Sequence, residues 1–320
     1  MKKFFKWAGI VLGVILVLLG SVALYYNFKP RATFDVAKID VNVIPNPERL
    51  ARGEKLAELM CAECHLDPQT GSFTGVRMTD IPAVFGQAWA QNITQDKEHG
   101  IGNWSDGDII RLLKTGVHPN GTVLLPFMLK PNMADEDMHS LIAFLRSDHE
   151  WVRPNPKVDT ATEFTLLGKF VTAGMEPVKL KTEPIAIPDS TNSKLLGKYL
   201  VTNLMCFGCH SNTFDMNFDD IEKTENFLSG GKEMAQPNGE PIHVPNISRN
   251  KQHGIGSWSE EQFVRAMRDG FNPGNKVLRP PMPRFTALTD NEIRAIYRYI
   301  QSAPENPTPR VGTAIATAQR

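Results

Sequence analysis

From Trp7 to Tyr26 the chain carries no charged side chain, and its centre, GIVLGVILVLLGSVAL, would be apolar on every face of a helix. About 20 such residues suffice to cross a bilayer, so the pattern predicts one transmembrane helix within residues 1–28. The run exceeds the ~7–15 residues of a signal-peptide core. Its exit, Ala23-Leu24-Tyr25-Tyr26, offers no small-x-small cleavage site, so an uncleaved anchor is expected. Lys2, Lys3 and Lys6 precede the run and should stay in the cytoplasm, which puts everything after Phe28 on the outer face and Trp7, Tyr25 and Tyr26 at the two interfaces. Beyond it, apolar positions recur at helical spacing in three pairs of shorter stretches. These are Leu50 to Met60 and Leu195 to Met205, the segments opened by Ser105-x-x-Asp108 and Ser259-x-x-Gln262, and the segments Asp135 to Arg146 and Asp290 to Gln301. The Ser-x-x-Asp, Ser-x-x-Gln and Thr289-x-x-Glu292 patterns predict capping boxes. Little reads as strand, so the fold is expected to be mainly α.

The pairing of these stretches reflects a repeat. Asn92 to Ser105 (NITQDKEHGIGNWS) and Asn246 to Ser259 (NISRNKQHGIGSWS) agree at nine of fourteen positions. Trp104 and Met128 are 24 positions apart, as are Trp258 and Met282. Two copies of a unit this long indicate a domain duplication rather than a solenoid. The predicted organisation is a transmembrane signal-anchor at 1–28, a first domain at 45–150, a proline-bearing connector at 151–190, a second domain at 191–303 and a loose tail at 304–320. The connector holds five prolines and no sustained period.

Composition narrows the function classes. With 35 basic and 35 acidic residues among 320, the chain has no net charge and no basic footprint for nucleic acid. Four cysteines are too few for a disulfide scaffold. All four lie in two Cys-x-x-Cys-His motifs, Cys61-Ala62-Glu63-Cys64-His65 and Cys206-Phe207-Gly208-Cys209-His210, one in each copy. That spacing presents two thiols to the vinyl groups of one haem and an adjacent imidazole to its iron. A zinc knuckle would want four ligands per site, and a redox dithiol has no use for His at the next position twice over. Disulfides are chemically allowed on the oxidising side of a membrane. Two motifs in register that consume every cysteine favour two covalently bound haems c.

A haem iron with one His needs a second ligand or an open site, and that choice separates electron transfer from catalysis. Of twelve methionines, only Met60 with Met205 and Met128 with Met282 match between copies. The first pair adjoins a cysteine on the proximal side, which leaves Met128 and Met282 as distal ligands. Met133 aligns with Leu288 just before the last helix and reads as core filler. His/Met ligation raises the potential, so both haems are expected to be relatively oxidising carriers. Trp104 and Trp258 have two readings, donors to a haem propionate or core residues at the head of the next helix. Asn92 and Asn246 are candidates to hydrogen-bond their loops, and His99 and His253 read as exposed loop residues. His118, His139, His149 and His243 have no counterpart in the other copy and receive no role.

The motif G-x-[YFK]-L before Cys-x-x-Cys-His, the N-I-[ST] … G-I-G-x-W-S segment and the Pro-Met loop before D-[EN]-[DE] resemble the class I cytochrome c fold. More narrowly they resemble the membrane-anchored multihaem cytochromes that accompany bacterial alcohol, gluconate and sugar dehydrogenases. The resemblance covers Leu50 to Ser302 apart from the connector. It implies haem thioethers at Cys61, Cys64, Cys206 and Cys209, proximal ligands His65 and His210, and distal ligands Met128 and Met282. It also implies a non-enzymatic electron-transfer protein of the bacterial cytoplasmic membrane, with its haem domains on the periplasmic side and a dehydrogenase, quinol-oxidising complex or terminal oxidase as redox partner. A di-haem peroxidase with one open haem, or a fixed subunit of a terminal oxidase, are the alternatives. Those dehydrogenase subunits often carry three haem domains and a carboxyl-terminal anchor, whereas this sequence shows two motifs and an amino-terminal apolar run.

Overall fold

The structure is a computed structural model that describes residues 2–35, 37–79, 81–213 and 216–305. Most of the expected tail at 304–320 lies outside the described residues. The protein is mainly helical. Helix α1 (Lys2–Phe28) is long and apolar enough to cross a membrane, and no part of its apolar stretch is buried within the protein.

The first copy is framed by α2 (Pro47–Met60), the short α3 (Ala62–His65), α4 (Asp106–Thr115) and α5 (Asp135–Leu145). The second is framed, after α6 (Leu166–Ala173), by α7 (Ser193–Asn203), α8 (Cys206–His210), α9 (Glu260–Asp269) and α10 (Asp290–Ser302). The three expected capping boxes are formed at Ser105, Ser259 and Thr289. Each side-chain oxygen satisfies a backbone donor that the first helical turn leaves open. Gly116 and Gly270 end α4 and α9 in the left-handed region, at φ 84° and 76°.

Within each copy the first helix crosses the last at very close range, and a glycine permits it. A Cβ on Gly53 would lie 2.0 Å from the Ser140 carbonyl oxygen and 2.7 Å from Phe144 Cβ. On Gly197 it would lie 2.0 Å from the Ala295 oxygen and 2.6 Å from Tyr299 Cβ. Ser140 and Phe144 hold the same places in α5 that Ala295 and Tyr299 hold in α10, so both crossings have one geometry. Buried side chains form two clusters. One contains Leu56, Phe73, Met133, Met138, Ile142 and Phe144, and the other Val201, Phe207, Leu288, Ile293, Ile296 and Tyr299.

The connector is more structured than its sequence suggests. Residues 163–164 form strand β3 (Glu163–Phe164), which extends β1 (Arg77–Met78) and β2 (Gly86–Trp89) into an antiparallel sheet of order β1-β2-β3. Helix α6 follows, started by the Thr165 side chain, which accepts from Gly168 N. Eight residues are too few for a periodic pattern to show, and the sheet edge that seats α6 comes from distant sequence. Later the connector runs over the first copy, with Val178 N donating to Thr115 O and Asp135 N to Ile185 O, each at 2.9 Å. The second copy adds a hairpin of β4 (Glu233–Ala235) and β5 (Pro241–His243). The copies touch through Tyr199, which bonds Asp137, and Lys55, which bonds Glu292.

Candidate functional site

Each Cys-x-x-Cys-His motif forms a turn of its own at the end of a longer helix. Cys61 closes α2 and opens α3, and His65 N bonds back to Cys61 O at 2.9 Å. In the second copy one more residue separates the crossing glycine from the first cysteine, since Gly197 to Cys206 is nine positions and Gly53 to Cys61 is eight. The extra residue is absorbed at Met205, whose φ of 60° breaks the helix before α8.

Both imidazoles are buried and tethered alike. His65 Nδ1 is 2.8 Å from the Gln91 carbonyl oxygen, and His210 Nδ1 is 2.8 Å from that of Pro245. A carbonyl can only accept, so the ring proton sits on Nδ1 and Nε2 keeps its lone pair. Gln91 and Pro245 immediately precede the repeated Asn92 and Asn246, so the repeat marks the tether. Those asparagines hold their loops, Asn92 Oδ1 accepting from Thr94 N at 2.9 Å and Asn246 Oδ1 from Ser248 N at 2.8 Å. Burial pushes the His65 imidazole down to about 4, against the pull of its carbonyl bond, and lowers His210 in the same way. Both rings are therefore neutral bases at neutral pH, the form that binds a metal.

No disulfide joins the cysteines among the described residues. Burial pushes the Cys61 and Cys206 thiols up to about 12. Among the described residues no group of three or more His, Cys, Asp or Glu side chains is arranged to hold a metal ion. Two thiols and a neutral, oriented imidazole per motif do fit covalent haem.

The remaining candidates fall on the same two bodies. Met128 ends a short turn, Pro126–Met128, and packs half-buried against the first cluster, while Met282 packs likewise against the second. Met133 is fully buried in the first cluster and Leu288 nearly so in the second. Trp104 and Trp258 are half-buried against their clusters, and their backbone carbonyls accept from Arg146 and Tyr297. Trp104 also meets the His118 ring edge-on at 6.0 Å. His99 and His253 are half-buried rather than exposed, because Asp96 and Asn250 accept from their backbone N–H groups and fold the loop over them.

Lys130 was not singled out by sequence reasoning. It is only 7% exposed. Burial pushes it down to about 8, while Cys61, Cys206, Cys64 and Cys209 all lie close enough to act on it electrostatically. The cysteines of both motifs thus act on one side chain. Its counterpart in the second copy is Phe285: Lys130 N bonds Leu113 O at 2.6 Å and Phe285 N bonds Met267 O at 2.8 Å, and the carbonyls of Lys130 and Phe285 in turn accept from Met133 N and Leu288 N. The signal in the sequence was a lysine opposite a buried aromatic.

Residues 50–148 match the Cytochrome c family. The chain therefore contains a cytochrome c domain, a fold that binds haem c covalently. It is also related to the cytochrome c subunits of bacterial dehydrogenases. It is 28% identical over 272 residues to the fructose dehydrogenase cytochrome subunit of Gluconobacter japonicus, covering 80% of this chain and 52% of that one. It is 29% identical over 277 residues to the gluconate 2-dehydrogenase cytochrome c subunit of Pantoea cypripedii, covering 80% and 60%. A diheme cytochrome c-type protein of Cereibacter sphaeroides is 25% identical over 257 residues, with 76% and 82% covered. The chain spans little more than half the length of the two dehydrogenase subunits.

Proposed function

We propose that the chain is a di-haem c-type cytochrome, with one cytochrome c domain at 45–150 and a second at 191–303. It carries electrons on the outer face of the cytoplasmic membrane, held there by an uncleaved α1. Cys61, Cys64, Cys206 and Cys209 are the thioether positions, His65 and His210 the proximal ligands, and Met128 and Met282 the distal ones. The observation that carries this reading is the repeated imidazole tether, Nδ1 on a backbone carbonyl at 2.8 Å in both copies. Such a bond fixes the tautomer and orientation of a metal-bound His. When bound, haem c supplies a one-electron couple at its iron. The chain's residues orient it, keep water away and set its potential. Met128 is favoured over Met133 because it lies on a half-buried turn, whereas Met133 is enclosed by its own core. A thioether in each copy leaves no open site for substrate chemistry, which makes the chain a carrier rather than a peroxidase. The dehydrogenase relatives support a membrane dehydrogenase, rather than a quinol-oxidising complex, as electron donor, with a terminal acceptor such as an oxidase beyond.

Pyridine haemochrome quantitation should give two covalent haems per chain, and zero or one would overturn the reading. The far-red iron–methionine band should fall by about half in Met282→Ala; an unchanged band would remove that ligand. Gentle detergent extraction should copurify a dehydrogenase.

A further inference from the structure

Helix α6 is built with its apolar side outward. Its inner face is occupied by Gly168, where a Cβ would stand 2.1 Å from the Phe85 carbonyl oxygen, and by Thr172, whose hydroxyl donates to Gly168 O at 2.9 Å. Leu166, Leu167, Phe170 and Val171, which follow one another round a single side of the helix, are all exposed, Phe170 by 54%. Val84, on the turn beneath, is exposed too and continues the patch, since its carbonyl accepts from the Thr165 hydroxyl at 2.6 Å. An outward cluster of this kind on a water-soluble surface would be costly and calls for a covering partner.

Its position says which. The Phe170 ring packs edge-on against Tyr26 at 4.9 Å between centroids, and Lys169 Nζ bonds Asn27 Oδ1 at 2.7 Å. Tyr26 and Asn27 lie in the last turns of α1, where a membrane helix would leave the bilayer on its outer side. Three cations rim the patch: Lys169, Lys29, whose Nζ lies over the Tyr25 and Tyr26 rings, and Arg31, over the Phe164 ring at 5.2 Å. Apolar side chains flanked by aromatics and cations are the chemistry of a helix lying in a lipid interface.

We propose that α6 is an interfacial membrane helix, its Leu166, Leu167, Phe170 and Val171 face inserted among the phospholipids of the outer leaflet beside the end of α1. The proposal rests on the membrane reading of α1. Its consequence is orientation: α6 packs on the first copy through Phe85, so the first haem unit is held flat against the bilayer instead of swinging from a single tether.

Site-specific photo-crosslinking in the full-length protein in native membranes tests this. A benzophenone amino acid is placed at position 167 or 170, at Leu16 in mid-α1, and at Leu195, an exposed leucine of α7. Illumination should add the mass of one phospholipid at 167 and 170 as at 16, and none at 195. Lipid adducts at 16 but not at 167 or 170, or polypeptide adducts at 167 and 170, would overturn the interfacial role and leave the anchor standing. No lipid adduct at 16 would overturn both.

Discussion

Tyr199 donates its phenolic hydrogen to Asp137 Oδ2 at 2.6 Å, joining the helix before the second cysteine motif to the helix that closes the first copy. The bond has a mirror. Counted from the crossing glycines, Lys55 holds the position of Tyr199, and counted from the helix starts, Glu292 holds the position of Asp137. Lys55 Nζ lies 2.6 Å from Glu292 Oε2. Equivalent residues thus reach across the boundary in both directions.

Asp137 is the centre of this contact. It is fully buried, Arg52 donates to both of its oxygens, and Tyr199 adds a third hydrogen bond. Asp137→Asn should cost roughly 3 kcal/mol, the low end for a broken buried pair because Arg52 is partly exposed. Tyr199→Phe should cost less, about 1.5 kcal/mol. Urea unfolding of the two variants checks both; equal losses would contradict the central role of the carboxylate.

The crossing glycines should be intolerant. Gly53→Ala and Gly197→Ala each place a methyl group on a carbonyl oxygen, and overpacking of this kind costs roughly 1–3 kcal/mol or more. Each variant should melt lower and recover with less haem. Gly13→Ala, with nothing within 4 Å of the added carbon, should leave both unchanged.

Acid should loosen the boundary between copies. Burial raises the Glu292 pKa, but the Lys55 hydrogen bond and the Thr289 cap outweigh it and leave the carboxyl below its usual value. A depressed carboxyl contributes stability above its unfolded pKa of about 4.3, and that contribution is lost as pH falls through the folded value. Stability should therefore drop on acidification below about pH 4.3. Lys55→Met should flatten that part of the curve, as measured by urea unfolding at pH 7 and at successively lower pH.

Lys130 should tune potential. A fixed positive charge disfavours the ferric state, which carries one more positive charge than the ferrous. Lys130→Met should lower the midpoint of both haems in an optical redox titration, and Lys130→Arg should hold them near the wild-type values. Unchanged midpoints in Lys130→Met would rule out an electrostatic role.

Local chemistry was largely legible in the sequence, because capping boxes, the apolar run and Cys-x-x-Cys-His each depend on residue type at short spacing. Ser105, Ser259 and Thr289 all cap as expected. The imidazole tethers were not legible, since Gln91 and Pro245 contribute only a backbone carbonyl and any residue carries one. Nor was Lys130, whose meaning depends on burial and on cysteines distant in the sequence. Helix α6 escaped notice for another reason: its leucines and phenylalanine face away from the core, so the usual link between apolar spacing and burial does not hold there.

The mirrored pairs, Tyr199 with Asp137 and Lys55 with Glu292, are what an isologous dimer interface would show. In a dimer of identical subunits every substitution lands on both sides at once. Here residues 151–190 join the two halves covalently, so each half can change alone, and a lysine at 130 against a phenylalanine at 285 is a difference that a true homodimer could never encode.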